Sequence, residues 1–187
     1  MSTTTTIHSP LYTVDQYFGL VAAGQLDEDA RVELLEGVII NMSPETPLHG
    51  HGIRLAQLAL ERSFPGREVL VQRSFLASNV SGPEPDIVVA PGATSDYRDR
   101  HPSQALLIVE VALSSLPTDR LTKSRIYAGA GVPEYWIVNV VDGALEVYRS
   151  PDAESRTYRE VKTLGPDDTV TALHGNGEAI PVSTLLP

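Results

Sequence analysis

The run Leu106-Leu-Ile-Val-Glu110-Val-Ala-Leu113 sets one carboxylate in the middle of an otherwise apolar stretch. A strand that is apolar on both faces belongs inside a sheet. A lone carboxylate buried there loses several kcal/mol of hydration even after relaxation. Something has to offset that loss: a basic partner, a raised pKa or a cation. Glu110 is therefore either half of a structural ion pair or a working acid. A second carboxylate stands at the mouth of another apolar strand, in Gly82-Pro-Glu84-Pro-Asp86-Ile-Val-Val-Ala90. Pro85 fixes an extended entry and donates no ladder hydrogen bond. Alone, Asp86 reads equally well as a turn or capping aspartate. If the two strands are neighbours, Asp86 and Glu110 converge, and two carboxylates in contact push a pKa upward. A divalent cation removes that conflict, and Mg2+ commonly takes one or two carboxylates and keeps several waters. Glu84 shares the strand parity of Asp86, but solvent exposure is the expectation for it.

Lys123 supplies a third element, in Thr118-Asp-Arg-Leu-Thr-Lys123-Ser-Arg-Ile-Tyr127, directly after the Glu110 strand. On a helix, Asp119, Lys123 and Tyr127 share one face at successive steps of four. Without other clues, Asp119 and Lys123 form an exposed pair worth a few tenths of a kcal/mol. His49-Gly-His51 places two imidazoles in a loop ahead of a basic helix, where they could position a phosphate or bind a transition metal. Without cysteine and without an HExxH pattern, a zinc enzyme is poorly supported. His49 is kept as an accessory candidate, while His8, His101 and His174 read as loop residues. Tyr127 and Trp136 read first as core packing.

These residues need elements to carry them. Thr13 to Gln16 has capping-box spacing, and Gly24 offers a stop, so a helix fills the interval. Arg31 to Met42 reads as two short strands turning at Glu36-Gly37. Ser43 to Gly52, rich in Pro, Gly and His, reads as loop. Leu55, Leu58, Ala59 and Phe64 give helical spacing up to Pro65-Gly66. Strand-like runs follow at Glu68 to Leu76, Asp86 to Ala90 and Leu106 to Leu113. Thr118 to Ala130 reads as one long helix. Glu134 to Tyr148 is a hairpin turning at Asp142-Gly143, and Arg156 to Leu164 and Ala179 to Ser183 are closing strands. This order predicts an α/β (α+β) fold, a mixed central sheet flanked by helices. Residues 1–10 are expected to be a flexible tail, residues 11–187 one domain, and Asp27 to Asp29 an acidic loop.

Composition narrows the classes. No cysteine excludes disulfides and thiolate metal sites. The first ten residues lack a signal-peptide pattern, and the longest apolar stretch is too short to span a bilayer, so a cytoplasmic protein without a membrane segment is expected. A net charge of −10 argues against a general nucleic-acid coat. The charge is uneven, however, since His51 to Arg73 and Asp119 to Tyr127 each carry a net +2. These are either a basic surface or solvated helix faces.

The string Asp86-Ile-Val-Val, Ile108-Val-Glu110-Val, Asp119-Arg-Leu-Thr-Lys123 and Tyr127-Ala-Gly-Ala-Gly-Val-Pro-Glu-Tyr-Trp-Ile-Val138 resembles the Uma-two family of putative restriction endonucleases. Arg31-Val-Glu33-Leu-Leu-Glu-Gly37 and Met42-Ser-Pro44 add to the likeness, which runs from about Tyr12 to the C-terminus. The resemblance implies a PD-(D/E)XK restriction-endonuclease-like core with an extra C-terminal hairpin and strands. It implies that Asp86 and Glu110 hold Mg2+ or Mn2+ with help from the Val111 carbonyl. It makes Glu33 an accessory acid and Lys123 the group that orients or activates water and steadies charge on the phosphate; Asp119 and Tyr127 stand beside these. It further implies a DNA substrate, hydrolysis of phosphodiester bonds, and a homodimer or higher homo-oligomer. One departure is plain: the superfamily's usual lysine lies two residues after the acid, where this chain has Ala112. The alternatives are a catalytically idle nuclease fold used for binding or assembly, and a metal-dependent hydrolase of another phosphate ester.

Overall fold

The computed structural model describes residues 11–26 and 30–187. The N-terminal tail and the Asp27–Asp29 loop expected from the sequence lie outside the described residues. Helix α1 (Val14–Ala22) starts as its capping box dictates. The Thr13 side chain accepts from the Gln16 amide, and the Gln16 side chain accepts from the Thr13 amide. Strands β1 (Val32–Leu35) and β2 (Val38–Asn41) pair antiparallel through a turn at Glu36 (φ 50°) and Gly37 (φ 83°). Positive φ at both central residues matches the twist of a two-residue hairpin.

Two expectations fail at the next elements. Ser43 to Gly52 is not all loop, because helix α2 (Pro47–Ser63) begins inside it. Thr46 caps it by accepting from the His49 amide, and Pro47 occupies the first turn, where its missing N–H costs nothing. His49 and His51 therefore ride on a helix. The strand expected over Glu68 to Leu76 ends early: β3 (Glu68–Val71) stops where Gln72 turns to φ 48°.

Strands β4 (Ile87–Ala90), β5 (Leu107–Ala112), β6 (Glu134–Asn139), β7 (Ala144–Asp152) and β8 (Thr157–Leu164) follow. With β3 they form one six-stranded sheet in the order β3-β4-β5-β6-β7-β8. All neighbours are antiparallel except β5 and β6, which run parallel because a helical crossover joins them. That crossover, expected as one helix, is broken. A turn of α3 (Leu116–Thr118) opens into a π-helical turn over Asp119–Lys123 and closes as α4 (Ser124–Gly129). The Ser124 amide donates to the Asp119 carbonyl, an i to i+5 bond. A small pair, β9 (Thr169–Val170) with β10 (Ile180–Pro181), completes the described strands.

The sheet is apolar on both faces. Ile53, Ala56 and Leu60 of α2, with Phe64 just after it, pack on Val89, Val109, Val111 and Trp136. Ile126, Tyr127 and Ala128 pack on Val88, Ile108, Tyr135 and Ile137. Gly52 lets α2 approach β5 closely, since a Cβ there would stand 2.8 Å from Val111 Cγ1. Among the described residues no helix is long and apolar enough to cross a membrane.

Candidate active site

The register of the β4–β5 pair decides where the two strand carboxylates meet. Ile87 faces Val109, so one further step sets Asp86 opposite Glu110 at the open end of the ladder. There the Asp86 side chain replaces a backbone acceptor: its Oδ2 accepts the Val111 amide at 2.7 Å. In a strand the N–H and C=O of one residue point to the same edge. The Val111 carbonyl therefore also faces the side where Asp86 lies. Both acids are buried, and both line one cavity of about 180 Å³.

Glu110 lies on the sheet face covered by the broken crossover helix. The wider π-helical turn brings Asp119 and Lys123 to that face together with Tyr127. Lys123 Nζ lies 3.1 Å from Glu110 Oε1, and the Tyr127 hydroxyl donates to the same oxygen at 2.7 Å. Both protein donors thus take one oxygen, and Glu110 itself lines the cavity. The sequence reading of Asp119 and Lys123 as an exposed pair is wrong, since their side chains are 1% and 6% exposed. Tyr127 is core, as expected, and is also a polar partner of Glu110.

Glu33 arrives from β1. Leu34 exchanges backbone hydrogen bonds with Gly82, which ties this hairpin to the loop entering β4. Glu33 Oε2 then accepts the Glu84 amide at 3.1 Å and stands 3.3 Å from Lys123 Nζ. Glu84, expected in solvent, is instead half-buried in the cavity wall. Burial raises its carboxyl, and the charge of Glu33 adds to that.

His49 also reaches the site: its Nε2 lies 3.1 Å from Asp86 Oδ2. That hydrogen bond raises the imidazole pKa against the opposing effect of burial. His51 points elsewhere and is exposed, because residues two apart on a helix do not share a face. The signal that separates them is Thr46-Pro47, a cap and first-turn pair that starts the helix early enough to carry His49. His101 stacks on Phe18 and lies outside the cavity wall, as does exposed His174.

Five carboxylates (Glu33, Glu84, Asp86, Glu110 and Asp119) face one lysine and one arginine, Arg31, across the cavity. Burial pushes the Glu110 carboxyl well up; Lys123 opposes this, while Asp119, Asp86 and Glu33 add to it. Burial likewise raises Asp119, to about 6. The Ser115 hydroxyl tempers that shift but stands outside hydrogen-bonding geometry, and both Asp119 oxygens lack a partner. Lys123 is buried, which favours its neutral form, but the carboxylates around it outweigh this and hold it charged. Tyr127 stays a phenol, because burial and the nearby Glu110 charge oppose its ionisation. Among the described residues, no three His, Asp or Glu side chains stand at metal-ligand spacing.

Two further buried acids were not singled out from the sequence. Glu134 takes Trp136 Nε1, Arg149 and the Leu173 amide, and is a satisfied structural ion pair. Glu146 takes Arg120, Asn139 and Tyr148, and through Arg120 it anchors the π-helical turn. Alternation alone reveals neither, since each lies in a strand whose pattern is read as hairpin.

The Uma2 family model, described as a putative restriction endonuclease, matches residues 14–180. A solved structure, described as a putative nuclease belonging to DUF820 from Anabaena variabilis, is 16% identical. It superposes with a TM-score of 0.71, covering 92% of this chain and 96% of that one, and shows the same fold. A search of curated proteins gave no match.

Proposed function

Because the chain belongs to the Uma2 family of putative restriction endonucleases, we propose that it is a metal-dependent endonuclease hydrolysing phosphodiester bonds in DNA. The observation that carries this reading is Lys123 Nζ, 3.1 Å from Glu110 Oε1 in the cavity that Asp86 also lines. Acid, acid and lysine converge although Ala112 occupies the usual lysine position. The crossover helix supplies the ammonium from the opposite direction.

The donor set fits a hard divalent cation. It is rich in carboxylates, has no thiolate, and has far more negative than positive charge in its wall. Glu110 Oε2 is free of the donors that hold Oε1, and the unpartnered oxygens of Asp119 add negative potential. Two carboxylates, Asp86 and Glu110, are the number that Mg2+ commonly takes while it keeps several waters. On this reading Asp86, Glu110 and the Val111 carbonyl hold the ion. Bound there, it would lower the pKa of water and shield charge on the phosphate.

The chain's own residues do the rest. The Lys123 ammonium is held between Glu110 and Glu33 in the wall of the cavity, so it is a fixed positive charge beside a bound phosphate. Such a pre-set positive charge stabilises the charge that builds during hydrolysis. Tyr127 pins Glu110 so that its second oxygen keeps one direction. His49 and the Val111 amide fix Asp86 in the same way. The family likeness is also what supports a homodimer.

The test is cleavage of plasmid, linear and single-stranded DNA with Mg2+ or Mn2+, beside Asp86→Ala and Lys123→Ala. Cleavage by the native chain alone is the expected result. No cleavage of any substrate, with no heat of Mg2+ or Mn2+ binding in calorimetry, would overturn it.

A further inference from the structure

Asp119 holds no ion in that reading, yet it is the most deeply buried acid of the cavity. Its side chain is 1% exposed and neither of its oxygens has a hydrogen-bond partner. Such a group must draw its compensation from nearby charge. Lys123 Nζ lies 4.0 Å from Asp119 Oδ1, 3.3 Å from Glu33 Oε2 and 3.1 Å from Glu110 Oε1. Three carboxylates from three separate elements (β1, β5 and the π-helical turn) thus surround one ammonium, and none of the four side chains is more than 7% exposed.

The spacing of this group is set by its occupant. Hydrogen bonds from nitrogen to oxygen run about 2.7–3.2 Å, whereas Mg2+ needs oxygens at about 2.0–2.1 Å. The trio is therefore too wide for a divalent ion as it stands. We propose that Lys123 is the resident cation of a second acidic cage, Glu33–Glu110–Asp119, and that its ammonium closes this cage to divalent ions. Asp119 is the counter-charge that keeps the ammonium inside. Combined with the metal-site reading above, on which only the native ion count rests, the native site takes one divalent ion. Without the ammonium, three mutually repelling carboxylates are free to contract around a cation.

Mn2+ uptake, read from the loss of the free-ion paramagnetic resonance signal, tests this on the full chain. The native protein, Lys123→Ala and the Lys123→Ala/Asp119→Asn double variant are compared. Lys123→Ala is expected to take up one Mn2+ more than the native chain, and the double variant to lose that extra ion. Equal uptake by Lys123→Ala and the native chain overturns the cage, as does retention of the extra ion in the double variant. A native chain that binds no Mn2+ beside a Lys123→Ala variant that binds one would remove the metal-site reading and leave the cage standing. If Lys123→Ala does not fold, circular dichroism during refolding replaces the count. Recovery with Mn2+ in the single variant alone upholds the cage; recovery in both variants or in neither overturns it.

Discussion

Lys123 Nζ and Glu110 Oε1 lie 3.1 Å apart across 13 residues of sequence, both nearly out of contact with solvent. Removing one partner of such a pair leaves an uncompensated buried charge, at a cost of about 3–5 kcal/mol. Lys123→Met should lose stability on that scale in urea unfolding. Adding Glu110→Gln should restore part of it. Losses that simply sum in the double variant would rule out the coupling.

Tyr127→Phe removes one of the two donors on Glu110 Oε1 while keeping the ring packed against Phe75 and Tyr135. A buried acceptor that loses a partner costs about 1–3 kcal/mol. The expected result is a lower urea midpoint with an unchanged far-ultraviolet spectrum, together with slower DNA cleavage.

Asp119 gives a pH signature opposite in sign to that of an ordinary paired carboxylate. Its folded pKa is raised to about 6 from 3.8, so across that window the folded chain binds the proton more tightly than the unfolded one. Its contribution is therefore fully present below the unfolded value and is lost as pH rises through about 6. Asp119→Asn should flatten this fall. Urea midpoints of the two proteins between those limits, in metal-free buffer, should converge at the acid end and part as pH rises.

Arg120 holds the π-helical turn to the sheet by pairing with Glu146, whose carboxyl is shielded from solvent but sits below its ordinary pKa. Burial opposes that shift, and hydrogen bonds from Arg120, Tyr148 and Asn139 outweigh it. Arg120→Ala leaves Glu146 with two donors, so a stability loss of about 1–3 kcal/mol is expected. Because the same turn carries Lys123, cleavage should slow with little change in KM. A change confined to KM would argue that Arg120 meets substrate instead.

His49 and His51 form a matched pair for mutagenesis. His49 contacts Asp86, whereas His51 is exposed two residues along the same helix. His49→Ala should reduce cleavage at least tenfold, the effect of about 1.4 kcal/mol on a barrier. His51→Ala should leave it unchanged. Equal effects would show that both act through substrate binding at the surface.

Much of this architecture is local chemistry and is legible before any coordinates. Thr13 and Gln16 cap α1, Glu36-Gly37 and Asp142-Gly143 turn hairpins, and Pro65-Gly66 ends α2. Each depends on residues a few positions apart, so composition and spacing are enough. Glu110 and Asp86 stand out for the same reason, as carboxylates beside apolar runs. The start of α2 was equally local but was obscured by its glycines. Gly52 is there for close packing on Val111, a requirement that exists only once helix meets sheet.

What the sequence determined by itself was which residues are chemically costly to bury; what only the tertiary structure decided was which of them compensate one another. Strand register sets Asp86 opposite Glu110, and the Leu34–Gly82 bridge delivers Glu33. The one extra residue in the π-helical turn brings Asp119, Lys123 and Tyr127 to the same buried carboxylate. None of these is a nearest-neighbour property. Each arises because the hydrophobic faces must close around the sheet, and that closure selects the few charges left inside and their distances.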